Sequence, residues 1–223
     1  MKITSAHKKI SLVLLAMMAA GVSPNLFVAA QAGHSTLHHL AIVVLFPSLV
    51  VLAVIYSLAR LWKYTDVHSQ IRNGIIAGLV ATVGLELVRH IGFSLGGMPG
   101  DMPKLLGVLL FDRFAQGPST WSTVAGYAYH FWNGAAFGIL FSLIFGRARV
   151  WLTTGYGILI GVGFMVSPVA ISLGVGYFGL DFGWGFAATV TLAHIAYGLI
   201  LGTVLVRLNG KAVSLLSRIK ALI

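Results

Sequence analysis

Apolar runs of about 20 residues recur along the whole chain and constrain its fold more than any other feature. A run of this length is what an α-helix needs to cross the hydrocarbon core of a bilayer. Charged residues make up only 9% of the 223 positions, whereas soluble domains carry about a quarter. We therefore predict an all-α, polytopic membrane helix bundle that has the lipid bilayer as its surroundings.

The N-terminal apolar run admits two interpretations. Residues 1–32 begin with lysines, continue with an apolar core and end in an A-x-A motif at residues 30–32, which is the pattern of a cleaved signal peptide. The same residues are long enough for an uncleaved first transmembrane helix. The chain is therefore predicted to have six transmembrane helices, or five after signal cleavage.

The rest of the chain divides into three predicted regions. Residues 33–73 hold the second transmembrane helix and a cytoplasmic loop, and residues 208–223 form a basic cytoplasmic tail. Between them, residues 74–207 are predicted as a four-helix membrane bundle. Within the bundle, residues 98–120 hold too many prolines and glycines for one regular helix, and we predict a short helix there that lies in the outer interface or dips back into it. The predicted spans of the bundle cover residues 74–97, 121–145, 151–175 and 183–207.

Basic residues predict how the chain is threaded. With the N-terminus in the cytoplasm, twelve lysines and arginines fall in inside loops and ends, and only Lys104 and Arg113 fall outside. This distribution places the C-terminus in the cytoplasm and residues 33–38 and 98–120 outside, and we expect a bacterial inner membrane. It also explains the net charge of +10 without nucleic acid, which we do not expect as a partner. The inside residues are Lys2, Lys8, Lys9, Arg60, Lys63, Arg72, Arg147, Arg149, Arg207, Lys211, Arg218 and Lys220.

A His-x3-Gly-x3-Gly pattern occurs twice, starting at His130 and at His194. At helical spacing its three positions lie close to one face, so each copy gives a helix with an imidazole above a glycine groove. Such a groove lets another backbone or a flat ligand come close. The glycines with this predicted packing role are Gly134, Gly138, Gly198 and Gly202.

A second similarity suggests an internal repeat. Residues 74–78 and residues 157–161 share a Gly-x3-Gly pattern in the third and fifth predicted spans. Together with the two histidine motifs, it predicts that spans three and four and spans five and six are copies of one hairpin in the same orientation. A pseudo-twofold axis along the membrane normal would then make His130 and His194 equivalent.

Four ionisable side chains are predicted at similar depth in the outer half of the membrane, namely Glu86, His90, His130 and His194. At 1.5 Å per helical residue they lie roughly 10–16 Å from the outer ends of their helices. Charged groups in a bilayer usually face a partner or a cavity. Glu86 and His90 are four residues apart and share a helix face, whereas Arg89 is expected off that face.

Three roles for this cluster stay open. In the first, the histidines donate to backbone carbonyls across the glycine faces and Glu86 pairs with Arg89 or His90, which is a structural role. In the second, His130 and His194 are axial ligands of haem b, or all four cluster residues hold one transition-metal ion. In the third, the cluster handles protons or ions in a transporter or channel. The absence of cysteine excludes covalent c-type haem and thiolate metal ligands.

The structural role is the first expectation, and it leads to a prediction for the whole protein. No nucleophile motif stands beside the histidines, so we predict a protein without catalytic activity. The glycine faces and the near absence of soluble domains favour a subunit or binding component of a larger membrane assembly, or a homo-oligomer.

Several short motifs lie between residues 74 and 206. They are Gly97-Met98-Pro99, Pro103, Leu105-Leu106-Gly107, His130-Phe131 with Gly134, and residues 193–198 with Gly202. In these motifs the chain resembles a family of small bacterial polytopic membrane proteins of unknown function. The resemblance implies a multispan helical fold and brings no activity with it. Residues 1–70, and Glu86 with Arg89 and His90, lie outside the shared pattern, so the ionisable cluster is interpreted as a specialisation of this protein.

Overall fold

The computed structural model describes residues 2–210 and 212–221, with side chains from residue 6 onwards. This description does not include Lys211 or the side chain of Lys2, two of the basic residues that are predicted to lie on the cytoplasmic side. Every regular element in the described ranges is helical. The α-helices are α1 (Lys2–Gln31), α2 (Leu37–Leu40), α3 (Phe46–Leu61), α4 (Thr65–Ser94), α5 (Met102–Leu110), α6 (Thr120–Phe145), α7 (Val150–Met165), α8 (Pro168–Ser172), α9 (Trp184–Leu208) and α10 (Leu215–Lys220).

Five helical segments in the described ranges are long and apolar enough to cross a membrane. This confirms the prediction of an all-α protein of membrane type. One of the segments runs without a break from α2 through a π-helical turn at Ala41–Leu45 into α3. The five segments are Ala6–Gln31, Leu37–Leu61, Thr65–Ser94, Thr120–Phe145 and Trp184–Leu208.

The predicted span over residues 151–175 is not one helix. α7 ends at Met165, and the short helix α8 begins at Pro168. Proline has no backbone N–H and its ring clashes with the preceding turn, so the helix breaks before it, and Ser167 Oγ caps α8 by accepting from Val169 N at 3.2 Å. With 16 residues, α7 is about 24 Å long, which is less than the roughly 30 Å of a bilayer core. Six spans are therefore not confirmed.

α4 is the central helix of the bundle and packs along both α6 and α9. α7 packs along α9, α5 packs on α6, and α1 packs against α6 and α3. This arrangement brings α1 onto the predicted four-helix bundle instead of leaving it apart. We call the end of the bundle that carries α5 the loop end, and the end that carries α10 the tail end.

The contact between α4 and α6 is made by glycines on both helices. A Cβ added to Gly74 would lie 2.8 Å from Gly138 O, and a Cβ added to Gly78 would lie 2.8 Å from the carbonyl carbon of Gly134. Real Cβ atoms do not approach backbone atoms so closely. The two helices are therefore close enough that a side chain at these positions would push them apart.

Small residues also let α7 and α9 approach closely. Compared with the contact between α4 and α6, however, the facing positions are shifted by one helical turn. A Cβ on Gly198 would lie 2.6 Å from Thr154 Cα, and one on Gly202 would overlap Thr153 Oγ1. The predicted repeat requires Gly161 to face Gly198, because their counterparts face each other in the first hairpin. Gly161 instead faces the ring of His194, with a Cβ placed 2.9 Å from its Cγ. The repeat is therefore not confirmed.

Polar side chains close the tail end. Gln70 Nε2 donates to Ser142 O at 2.5 Å, and Gln70 Oε1 accepts from Arg218 Nη2. Asn73 Nδ2 donates to Asn209 Oδ1 at 2.9 Å. Through Arg218, helix α10 folds back onto the bundle, although the sequence predicts a basic tail there. Most of the polar atoms in this group are hydrogen-bonded inside the protein, whereas Nε of Arg218 has no partner among the described residues.

Candidate functional site

A buried ion pair lies in α4 near the loop end. The guanidinium of Arg89 holds both oxygens of Glu86, with Nε 2.8 Å from Oε1 and Nη2 2.7 Å from Oε2. Nη2 also lies 3.3 Å from Asp101 Oδ1, just before α5. The Arg89 side chain is only 6% exposed, and its Nη1 has no hydrogen-bond partner among the described residues. A buried arginine thus joins α4 to the segment that leads into α5.

His130 joins this pair from α6. Its Nε2 lies 2.9 Å from Glu86 Oε1, and its side chain is 19% exposed. Glu86 therefore contacts a cation on its own helix and an imidazole on the neighbouring helix. The structure forms the Glu86–Arg89 pair, which is one of the two pairings that the structural role predicts.

The alternative pairing of Glu86 with His90 is not the one that forms, because His90 is exposed and takes no part in the ion pair that the structure describes. Arg89, expected off the polar face, is buried instead. The buried face of α4 at this level runs through Leu85 and Arg89. Successive helical residues are about 100° apart, so Glu86 lies at the edge of that face and His90 lies beyond it.

His194 on α9 packs its ring against Gly161 of α7. Its Nδ1 lies 2.8 Å from the carbonyl oxygen of Val190, one turn earlier in the same helix. The sequence predicts a bond across the helix contact, and the structure forms it within α9. A carbonyl oxygen only accepts, so Nδ1 carries the hydrogen. None of the described residues forms a hydrogen bond with Nε2.

The two histidines meet at a cavity of about 430 Å³, which is lined by residues of α1, α4, α5, α6, α7, α8 and α9. Most of its wall is apolar. A smaller cavity of about 60 Å³, lined by both histidines and by Tyr197, adjoins it. The polar residues that line the larger cavity are Asn25, Arg89, His130, Asn133, Ser167 and His194.

The predicted metal ligands are only partly brought together. The structure joins Glu86 to His130 and places His194 on the same cavity, whereas His90 faces away. Among the described residues, no three His, Asp or Glu side chains are placed to hold one metal ion. His130 and His194 do line one cavity, as axial haem ligands must. To bind iron through Nε2, His130 would have to break its contact with Glu86. Otherwise it would have to bind through Nδ1.

Helix α1 also contributes to this site, which the sequence did not predict. Ser23 Oγ donates to Asn133 Oδ1 at 2.5 Å, and the hydroxyl of Tyr129 donates to Ser23 O at 2.7 Å. Asn133 is three residues after His130, a spacing that could have placed it on the same helix face. The sequence did not indicate a role for Ser23, because this residue lies in a segment that also fits a cleaved signal peptide.

No family model matches the chain. No curated protein and no solved structure matches it either. The resemblance to a family of small polytopic membrane proteins therefore stays a prediction, and the site is interpreted from its own geometry.

Proposed function

We propose that the protein is a membrane-embedded binding protein without catalytic activity, whose 430 Å³ cavity holds a small, mostly apolar ligand. The cavity is the observation that supports this proposal. Its volume lies within the range of about 300–1,000 Å³ that is typical of ligand sites. It also shares their composition, because an apolar wall surrounds a few polar groups, among them His130 and His194.

Only some of the polar groups near the cavity are hydrogen-bonded to other groups of the protein. Glu86, Arg89 and Asp101 pair with one another. Two nitrogens at the cavity have no partner in the described part of the chain: Nη1 of Arg89, and Nε2 of His194, whose ring lines the cavity. A ligand that bonds Nε2 of His194 gains a hydrogen bond that a lipid chain cannot form.

We infer that the chain crosses a bacterial inner membrane six times, with both termini in the cytoplasm and the cavity in the outer half. The twelve basic residues on one side against two on the other support this orientation. α7 and α8 together would complete the crossing that α7 is too short to make alone. A larger membrane assembly or a homo-oligomer belongs to the same proposal, and light scattering of the detergent complex distinguishes either from a monomer.

We expect α1 to remain in the mature protein as a transmembrane helix. Lys9 Nζ lies 2.9 Å from Asp66 Oδ1 of α4, and Phe27 lines the cavity, so cleavage after Ala32 would remove one wall of the site. The measurement is the intact mass of the purified protein, which should include residues 2–32. The Ala32→Leu variant destroys the A-x-A motif and should differ only by the mass of the substitution. A chain that begins at Gly33 would refute this prediction.

Filling the cavity is expected to abolish ligand binding without disturbing the fold. Gly163 lines the cavity, and a Cβ added there meets no atom within 4 Å. Gly155, about two turns earlier in α7, also has open space for a Cβ but does not line the cavity. We expect Gly163→Leu to retain less than about a tenth of the molecule that co-purifies with the wild type, and Gly155→Leu to retain all of it. Mass spectrometry of an organic extract measures both.

Two outcomes would contradict the proposal. A wild-type extract that holds only bulk lipid would do so, and so would equal amounts of ligand in the two glycine variants. An absorption spectrum and elemental analysis of the same samples test the second candidate, a haem or metal protein, which the shared cavity of His130 and His194 favours. A Soret band, or stoichiometric iron, copper or zinc, that is lost in His194→Leu would identify the ligand as that cofactor.

A further inference from the structure

We propose, on the basis of the function proposed above, that the ligand is an uncharged, largely apolar molecule with a hydroxyl group that donates a hydrogen bond to His194 Nε2. The tautomer of His194, the charge balance of the site and the composition of the cavity wall lead to this chemical class.

The hydrogen bond within α9 determines what His194 can offer a ligand. Nδ1 donates to Val190 O at 2.8 Å and therefore holds the ring hydrogen. In the neutral ring, Nε2 is then an acceptor with a free lone pair. The ring lines the cavity, and no described residue occupies Nε2. A ligand that satisfies this nitrogen must bring a hydrogen-bond donor.

The ionised groups beside the cavity already form ion pairs with one another, although Nη1 of Arg89 keeps one hydrogen-bond donor without a partner among the described residues. Arg89 is held by two carboxylates, those of Glu86 and Asp101. Lys104 lies 3.5 Å from the other oxygen of Asp101, so two cations balance two anions. Both oxygens of Glu86 are already in contact with Arg89 or His130. A charged ligand would therefore enter an apolar site without a free counter-ion, which is costly.

The wall of the cavity determines the body of the ligand. Aromatic and aliphatic side chains from all seven helices around the cavity supply most of it, and they offer dispersion contacts and no hydrogen bonds. A hydroxyl is the smallest group that adds a donor to an apolar body without adding charge. Apolar lining residues include Phe27, Leu106, Phe137, Phe164, Val169 and Val190.

Three naphthalenes of similar size test the inference on the full chain in nanodiscs, by equilibrium dialysis against empty nanodiscs. 2-Naphthol carries the hydroxyl donor, 2-methoxynaphthalene lacks it, and 2-naphthoate carries a charge. We expect the wild type to bind 2-naphthol about tenfold more tightly than 2-methoxynaphthalene, which is the effect of one net hydrogen bond. The preference should vanish in His194→Leu and persist in His90→Leu, which changes an exposed histidine.

His194→Gln keeps an acceptor near the position of Nε2 and should keep most of the preference for 2-naphthol. Equal binding of 2-naphthol and 2-methoxynaphthalene to the wild type would overturn the hydroxyl assignment and leave the cavity as a binding site. Tighter binding of 2-naphthoate would overturn the assignment of an uncharged ligand. If none of the three probes binds above the empty nanodisc, the proposed binding function itself fails.

Discussion

Replacing Arg89 with methionine is expected to lower the free energy of unfolding by about 3–5 kcal/mol. The substitution leaves the carboxylates of Glu86 and Asp101, which are only 13% and 18% exposed, without the cation that holds them. Methionine replaces most of the volume of the arginine stem, so the loss reports the charge and not a cavity. Unfolding of the purified protein by SDS in mixed micelles measures the difference.

Lys104→Met is the matched control for Arg89→Met. Lys104 contacts the same Asp101, but its side chain is 51% exposed, so we expect a loss below about 1 kcal/mol. Adding Glu86→Gln to Arg89→Met should recover part of the loss, because the more buried of the two carboxylates is then replaced by a neutral amide. If Arg89→Met were as stable as Lys104→Met, the ion pair would not be buried as described.

The second large effect is expected from Gly78→Leu in the contact between α4 and α6. A leucine there would overlap the backbone of Gly134 and Ala135, which cannot move away as a flexible side chain would. We expect a loss of at least about 3 kcal/mol, or a protein that does not accumulate in the membrane. Membrane yield and the SDS unfolding midpoint provide the measurement.

Gly21→Leu in α1 provides the comparison for Gly78→Leu. Gly21 also lies in a helix that is long and apolar enough to cross a membrane, but a Cβ added there meets no atom within 4 Å. This variant should accumulate and unfold like the wild type. A Gly78→Leu protein with wild-type yield and midpoint would show that α4 and α6 do not approach as closely as their glycines allow.

The helical class could be predicted from the sequence because it depends on the composition and length of the apolar runs. The break at residues 165–168 was harder to predict. A single proline such as Pro168 can kink a membrane helix or end it, and the outcome depends on whether neighbours satisfy the freed backbone groups. The tail end was missed for a related reason. Gln70 and Asn73 look like ordinary interfacial polar residues in the sequence, but Gln70 bonds Arg218 of α10 and Asn73 bonds Asn209 at the end of α9.

Counting residues along the helices grouped Glu86, His130 and His194, but it could not give the direction of each side chain. In the structure His130 and His194 line the cavity, and Glu86 contacts His130. Counting along one helix could not decide between Arg89 and His90, since both are within one turn of Glu86. Asp101 decides it, because the segment before α5 brings this second carboxylate to the side of Arg89. Such a contact between distant parts of the chain leaves no local pattern.

A crystal structure of the protein purified from its native membrane tests the central claim most directly. We predict density for one mostly apolar molecule in the cavity between α1, α6 and α9, with its polar end within hydrogen-bond distance of His194 Nε2. A structure in which Phe137 and Phe164 close over this space, so that no cavity is left beside His130 and His194, would contradict the proposed binding function.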